Sequence, residues 1–536
     1  MKSKKKLVTL LLSLVMLCAL AMPAMADGDG NYSITITGTS GHTYIAYQVF
    51  KGEYFTGDDE NHTDNNKEYL SDVEWGSDVE GEAIITDLKA SSILGSSFTN
   101  KTNAEEVAYV LQNFENQSKE MDEFARIVGN HLKTTATGKS EGIALNETTC
   151  KIEGLAAGYY LVKDMGFQQT DGSFKFNDGE IASKFLVKVV GNATVQEKIQ
   201  VPTIEKEVVN QGHHTSVNIG DDIDFKLTAT VPDMANYNDY TFVIRDTLSD
   251  GLTFKADSVA VTVGGAAFTD YELTAPTKDK NELAIKFTKE KLSEKLDHNV
   301  GATIVVTYKA TLNNNALQTD EETNTVQLEY SNNPSSDGTG KVTTPEVPVH
   351  VYDFDIQIDK YDGTNQDPNS VPDTSKKLKN AKFVLYKKVT ENGAATTKYY
   401  KWNEDDEKVE WVTGVNDATE VATDGTGKAT FQGVAEDTYY LRETQAPAGY
   451  NSLKGDVEVK ITATYDETTG KLINSSATST NNNQYIQVQA IPNKAGAVLP
   501  STGGIGTTIF YVLGSILALG AAVLLIAKKR MNGQDR

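Results

Sequence analysis

Lys206 falls in phase with Ile204 and Val208, Asp246 with Phe242 and Ile244, and Asn324 with Val326, Leu328 and Tyr330. Alternate residues of an extended strand share a face, so these apolar runs carry an amine, a carboxyl group and a carboxamide into an interior. The amine and the carboxyl group recur further on: Lys360 shares parity with Phe354, Ile356 and Ile358, and Glu443 with Tyr439 and Leu441, while Asp353, Asp355, Gln357 and Asp359 take the other face. Two chemistries fit such groups. One is a buried salt bridge with a hydrogen-bonded asparagine, which costs about as much in desolvation as it returns. The other is condensation of the amine with the carboxamide, giving an isopeptide bond and ammonia. Burial lowers the pKa of an amine and raises that of an acid, so a neutral nucleophile and a protonated shuttle can coexist. Fixing both groups in one core also supplies effective molarity, roughly 7 to 11 kcal/mol of barrier, so no external enzyme is required.

The elements that must hold these groups read as strands. Clean period-2 alternation runs through Ile223, Phe225, Leu227, Ala229 and Val231, and again through Ile304, Val306, Tyr308 and Ala310, the pattern of half-buried sandwich strands. At 536 residues the chain exceeds a single core and suits about three domains. Pro202 and the segment 343–349, with Pro345 and Pro348, punctuate it near 201 and 350, giving modules at 27–200, 201–350 and 351–498. The first opens with alternating Ile34 and Ile36, runs on through Tyr44 to Phe50, and holds one helical patch. There Met121, Phe124, Ala125, Val128 and Leu132 fall at spacings of three and four, a packing face. The expected fold class is all-β, with immunoglobulin-like sandwiches in tandem and a helical insertion in the first module.

Both ends carry export signals. Lys2, Lys4, Lys5 and Lys6 precede an apolar run from Leu7 to Leu20, and Ala24-Met25-Ala26 offers a cleavage site, so residues 1–26 read as a secretory leader. At the other end, Leu499-Pro500-Ser501-Thr502-Gly503 precedes an apolar stretch from Ile505 to Ala527 and then Lys528-Lys529-Arg530. That stretch is long enough to cross a bilayer, and the basic cluster holds its end in the cytoplasm. The formal charge is −24. Removing four Lys with the leader, and four Lys or Arg and one Asp with residues 503–536, takes it to −31. Such a surface repels nucleic acid and anionic lipid. Cys18 lies in the leader, which leaves Cys150 as the single thiol of the exported chain, so no internal disulfide can form and another staple is needed. Cys150 reads as a small buried hydrophobe. His213-His214 lacks the spaced partners of a zinc site and reads as a solvated turn, and Asp362 to Asp367 lacks the distal glutamate of a calcium loop. No metal ligand and no cofactor is assigned.

Residues 499–503 resemble the LPxTG sorting signal. The resemblance implies that a sortase thiol attacks the Thr502 carbonyl, releases Gly503 onward and passes the acyl group to an amine. Tyr439-Tyr440-Leu441-Arg442-Glu443-Thr444-Gln445-Ala446-Pro447-Ala448-Gly449-Tyr450 matches the YxLxETxAPxGY E-box of Spa-type Gram-positive pilins. Its glutamate is the isopeptide catalyst of the collagen-adhesin B-type (Cna-B) fold, which implies that role for Glu443, with Lys360 and Asn493 as the linked pair. Parity does not place Asn493 on its own, since Ile486, Val488 and Ala490 have the opposite phase. The middle module resembles the A-type pilin domain, in which an aspartate replaces the glutamate. That implies Lys206 and Asn324 as the linked pair and Asp246 as the shuttle. The first module, with Gly158-Tyr159-Tyr160-Leu161-Val162-Lys163-Asp164, resembles the N-terminal domain of such pilins, but its opening strand has no lysine and no bond is assigned to it.

The resemblance implies a shaft (backbone) pilin: a structural protein, not an enzyme, cross-linking itself and serving as substrate of class C and housekeeping sortases. Its implied partners are further copies of itself, accessory pilins, peptidoglycan and host matrix or surface receptors, and its place is the cell wall and the surface pilus. The family's acceptor lysine sits in a VYPK motif, absent here. Lys198, about eight residues before Lys206, lies at the expected junction, with Lys188 as runner-up. The alternative function is a monomeric wall-anchored adhesin, which shares both ends and the stapled modules but forms no ladder.

Overall fold

The computed structural model describes residues 31–531, apart from 57–67, 117, 178–179, 181, 198–200, 235–236, 291, 293–299, 334–339, 367–370, 372, 392, 480–483 and 498–504. The leader, Lys198 and the pentapeptide 499–503 therefore lie outside the described residues.

Alternating segments become strands, and the strands gather into sheet pairs along the chain. The first pair sets Tyr32–Thr37 between Thr149–Leu155 and Ala193–Gln196, beside a six-stranded sheet built on His42–Thr56 and Gly158–Gln168. The helical insertion is larger than the single stripe expected. Helices Gly81–Ala90, Gly95–Phe98 and Ala104–Leu111 precede Lys119–Asn130, and Leu132 lies past the last helix, bridged to Val79. The three extra helices are ten, four and eight residues long. Asn103 caps one by accepting from the Glu106 N–H, and Ser118 caps another by accepting from that of Met121.

The middle pair is a five-stranded sheet, ordered Ile204–Val208, Asp222–Thr230, Thr303–Leu312, Leu252–Val263, Ala266–Ala267, and a seven-stranded sheet containing Phe242–Leu248 and Glu322–Ser331 side by side. The proline-bearing segment near the expected boundary at 350 is not a linker. Val347–Tyr352 is a strand of the middle sheet, and Phe354–Asp362 opens the next sheet after Asp353 alone. Pro348 fits because the strand on its outer side, His214–Ser216, pairs only with residues 350–352, leaving an edge at Pro348 where no N–H is needed.

The last pair is a four-stranded sheet, in which Phe354–Asp362 runs parallel to Tyr485–Asn493, and a six-stranded sheet containing Thr438–Gln445. The middle and last pairs share one continuous apolar core. Their seam is hydrogen-bonded: Ile219 N–H donates to the Gly433 carbonyl at 3.0 Å and Val409 N–H to that of Ile219 at 2.8 Å. His214, expected in a solvated turn, stacks on Tyr465 of the last module at 3.9 Å. Past the sandwiches, helix Ile505–Met531 contains one segment, Thr508–Met531, apolar and long enough to cross a membrane, with Lys528, Lys529 and Arg530 in its last turn.

Candidate functional site

In the middle module each polar group enters the core in phase with its apolar neighbours. Lys206 sits on the five-stranded sheet, paired with Leu227. Asp246 and Asn324 sit on adjacent antiparallel strands of the facing sheet, where Asp246 pairs with Val326 and Leu248 with Asn324, so the two side chains share a face one pleat apart. All three are sealed from solvent, at 1%, 0% and 0% exposure. The Lys206 ammonium contacts Asp246 Oδ1 directly. Burial pushes the Lys206 amine down to about 8, with Asp246 opposing the shift, so the neutral amine is far more accessible near neutral pH than that of a solvated lysine.

A residue that parity marked only as core completes this group. Tyr308 is 1% exposed and its hydroxyl accepts from Lys206 Nζ at 3.1 Å and from Asn324 Nδ2 at 2.6 Å, while donating to Asp246 Oδ2 at 2.6 Å. The signal available in the sequence was a hydroxyl on the inward face of a strand whose other inward residues are Ile304, Val306 and Ala310. Phe225 stacks on the Tyr308 ring at 5.3 Å and lies 5.2 Å from Lys206 Nζ, which fixes the ring and walls the amine in apolar surface. The Asn324 Oδ1 is buried with no hydrogen-bond partner.

The last module brings together the same functional groups by a different route. Lys360 and Asn493 stand on neighbouring parallel strands of one sheet, where Lys360 pairs with Ile491 and Asp362 with Asn493, and Glu443 comes from the facing sheet. Lys360 Nζ lies 3.9 Å from Glu443 Oε1 and donates to the Ile491 carbonyl at 2.9 Å. Asn493 Nδ2 donates to Glu443 Oε2 at 3.2 Å and to the Asn451 carbonyl at 2.7 Å. Burial pushes the Lys360 amine down to about 8, with Glu443 opposing. Glu443 Oε1 and Asn493 Oδ1 are buried without hydrogen-bond partners.

The expected phase of the last strand is reversed. Asn493 points inward with Ile491, at 2% and 1% exposure, whereas Val488 is half exposed, so Ile486, Val488 and Ala490 do not mark the core face. The strand keeps its register through Pro492, which pairs with Tyr361. The turn after Glu443 also grips the chain beyond Asn493: Gly496 N–H donates to the Gly449 carbonyl at 2.8 Å and Asn451 N–H to that of Lys494 at 2.9 Å. Asp353 and Asp355, on the face opposite Lys360, are nevertheless buried, and burial pushes Asp355 up to about 7.

The first module has no lysine on its opening strand and gathers a different group. His42 Nδ1 lies 3.0 Å from Asp164 Oδ2, and its Nε2 lies 3.3 Å from Glu180 Oε2. Glu197 accepts from Ser183 Oγ at 2.8 Å and from Thr39 N–H at 3.0 Å. Donor atoms of His42, Asp164 and Glu197 lie within 4.8 Å of one another. Three distant segments supply them, so no local spacing announced the group. Glu197 immediately precedes Lys198; the runner-up Lys188 is exposed on strand Lys184–Val189. Cys150 is buried, and burial raises its thiol to about 12.

Comparison with known proteins adds the following. Residues 370–476 match the SpaA prealbumin-like fold domain, 219–334 the Gram-positive pilin backbone subunit 2, Cna-B-like domain, and 491–533 the LPXTG cell wall anchor motif. The match over the middle module is thus described as Cna-B-like, where the sequence resemblance pointed to the A-type. The trypsin-resistant surface T6 protein of Streptococcus pyogenes is 24% identical over 388 residues, 62% of this chain and 70% of that protein. Fimbrial subunit type 1 of Actinomyces viscosus is 34% identical over 97 residues, 18% of this chain and 16% of that one. The solved T6 backbone pilin of S. pyogenes, described as a modular three-domain structure, superposes with a TM-score of 0.51 at 16% identity, covering 88% of this chain and 99% of that one.

Proposed function

Because this chain belongs to the LPXTG-anchored backbone pilins of Gram-positive bacteria, a structural pilus shaft subunit held at the cell wall, we propose that its middle and last modules each close a lysine–asparagine isopeptide bond autocatalytically. The observation that carries this reading is the solvent-free contact of Lys206, Asp246 and Asn324 through one hydroxyl. In the middle module the neutral Lys206 amine attacks Asn324 Cγ, Asp246 shuttles the proton, and ammonia leaves. In the last module Lys360, Asn493 and Glu443 take the same parts. Sortase processing fits the anchor motif. In this reading a pilus-type sortase transfers the Thr502 acyl group to Lys198 of the next copy, a housekeeping sortase attaches the chain to peptidoglycan, and accessory pilins join the same polymer. The modules act as the units 27–200, 201–350 and 351–498.

Each bond removes one ammonia, about 17 Da. The purified ectodomain is therefore expected about 34 Da below its sequence mass, with Lys206 joined to Asn324 and Lys360 to Asn493 in its proteolytic map. An unmodified mass would end the isopeptide reading. Wall digestion is expected to release a ladder that survives boiling in detergent and collapses in Lys198→Ala; a ladder persisting in that variant would move the acceptor elsewhere, with Lys188 next to test.

A further inference from the structure

We infer that Tyr308 is a catalytic residue of the middle module's cross-linking reaction, delivering the proton that converts the Asn324 amide nitrogen into departing ammonia. The inference rests on the isopeptide reading above and assigns a step that reading leaves open. Condensation requires one proton to leave Lys206 Nζ and one to arrive on Asn324 Nδ2. The lysine and the asparagine come from facing sheets. Asp246 presents Oδ1 to the lysine and Oδ2 to the Tyr308 hydroxyl, and the hydroxyl alone, among the described residues, is bonded to Asn324 Nδ2. The groups thus form a line from Nζ through both carboxyl oxygens and the phenol oxygen to Nδ2.

The step balances along that line. It starts with a neutral Lys206 amine and Asp246 protonated on Oδ2, so that Oδ2–H donates to the phenol oxygen and the phenol O–H, no longer held by the carboxylate, turns to Nδ2. The Nζ–Cγ bond forms and Nζ passes a proton to Oδ1. Oδ2 gives its proton to the phenol oxygen as the phenol gives its own to Nδ2, the Cγ–Nδ2 bond breaks, and ammonia departs. Asp246 ends protonated on Oδ1, Tyr308 ends as a phenol, and nothing is oxidised or reduced. Burial, with Asp246 adding to it, holds the Tyr308 hydroxyl well above its usual pKa, so it stands ready as a phenol at neutral pH. Stacking against Phe225 keeps its oxygen in line. Among the described residues the last module has no counterpart, because Asn493 Nδ2 there reaches the carboxylate itself.

Tyr308→Phe removes the hydroxyl and keeps the ring. Newly refolded ectodomain is followed by intact mass and by mapping of the linked peptides, with the Lys360–Asn493 bond in the same molecule as internal control. The expected result is a middle bond that forms at least 10²-fold more slowly, within the usual range for a lost general acid, while the last module closes at the wild-type rate. A middle bond closing at the wild-type rate in Tyr308→Phe would overturn the inference. Should the phenylalanine variant misfold, a fluorinated tyrosine at 308 keeps shape and hydroxyl while changing its acidity: the closing rate is expected to move with that acidity, and an invariant rate would overturn the proton-delivery role. Absence of any ammonia loss in the unsubstituted protein is a separate outcome that removes the isopeptide reading and this step with it.

Discussion

The middle and last modules carry the same three functional groups on opposite plans. In the middle module the amine faces its partners across the sandwich, from the five-stranded sheet to the seven-stranded one. In the last module the amine and the carboxamide are neighbours within one sheet, on its parallel first and last strands, and only the acid comes from across. What the chemistry demands is burial and contact, which both plans meet. What differs is the link to the acid: in the cross-core plan the Tyr308 hydroxyl stands between the carboxylate and the carboxamide, and in the in-sheet plan the carboxylate meets the carboxamide directly. The proposed bonds would also carry load differently, one pinning two sheets together and the other joining the ends of a module directly.

Pulling single molecules by their ends gives the largest test of that contrast. With Lys206 joined to Asn324, the roughly 120 residues between them are shielded, and Lys206→Met is expected to release about 400 Å of extension at ~3.4 Å per residue. Lys360→Met is expected to release about 450 Å from the last module on the same arithmetic. Full extension of either module in the unsubstituted protein would break the comparison. At equilibrium the two variants are expected to lose similar stability, about 4.7 kcal/mol each, because loop-closure entropy grows only logarithmically beyond about 100 residues. Denaturant titration reads this, and a gap of several kcal/mol between the variants would show that the two plans differ in strain as well as in direction.

The strands and the inward faces of Lys206, Asp246, Asn324 and Lys360 were legible because period-2 alternation reports burial directly. Tyr308 was hidden for the opposite reason: an aromatic on an inward face looks like core, and only the partners across the sandwich reveal what its hydroxyl does. Among the helices before Lys119, Gly95–Phe98 is too short to show a stripe, whereas Ala104, Val107 and Leu111 carried a readable one at spacings of three and four; the group at His42, Asp164 and Glu197 depends on tertiary placement. The last strand misled because Ile486 and Val488 advertise an apolar face that the fold turns outward, while Ile491 alone marks the buried one. Ile491→Ala is accordingly expected to cost about 2 to 5 kcal/mol and to slow closure at Asn493, whereas Val488→Ala should stay within about 0.5 kcal/mol. Thermal unfolding together with the mass of the Lys360–Asn493 peptide checks both, and equal costs would reverse the assigned phase.

The first module sharpens the comparison from outside, since it fastens its interior with shared protons where the other two have lysine and asparagine. Burial, reinforced by Asp164, pushes Glu197 from 4.5 up to about 7. His42 is raised as well: burial opposes the shift, but Asp164 and Glu180 outweigh it. Both groups bind protons more tightly folded than unfolded: the Glu197 contribution is fully present below the ordinary glutamate range and is lost as pH rises through about 7, and that of His42 is fully present below the ordinary histidine range and is lost above it. For Glu197 the shift corresponds to on the order of 3 kcal/mol. Asp355 of the last module is displaced in the same sense, so the informative quantity is the difference between the parent protein and Glu197→Gln in unfolding temperature from pH 5 to 8. That difference is expected to narrow as pH rises, because the glutamine stays neutral while the glutamate must ionise in a buried site. A constant difference would mean that Glu197 keeps its charge at all these pH values and that the first module is held by its hydrogen bonds alone. An amide nitrogen, once formed, has no titrating proton, so Lys206 and Lys360 themselves should contribute nothing to the slope.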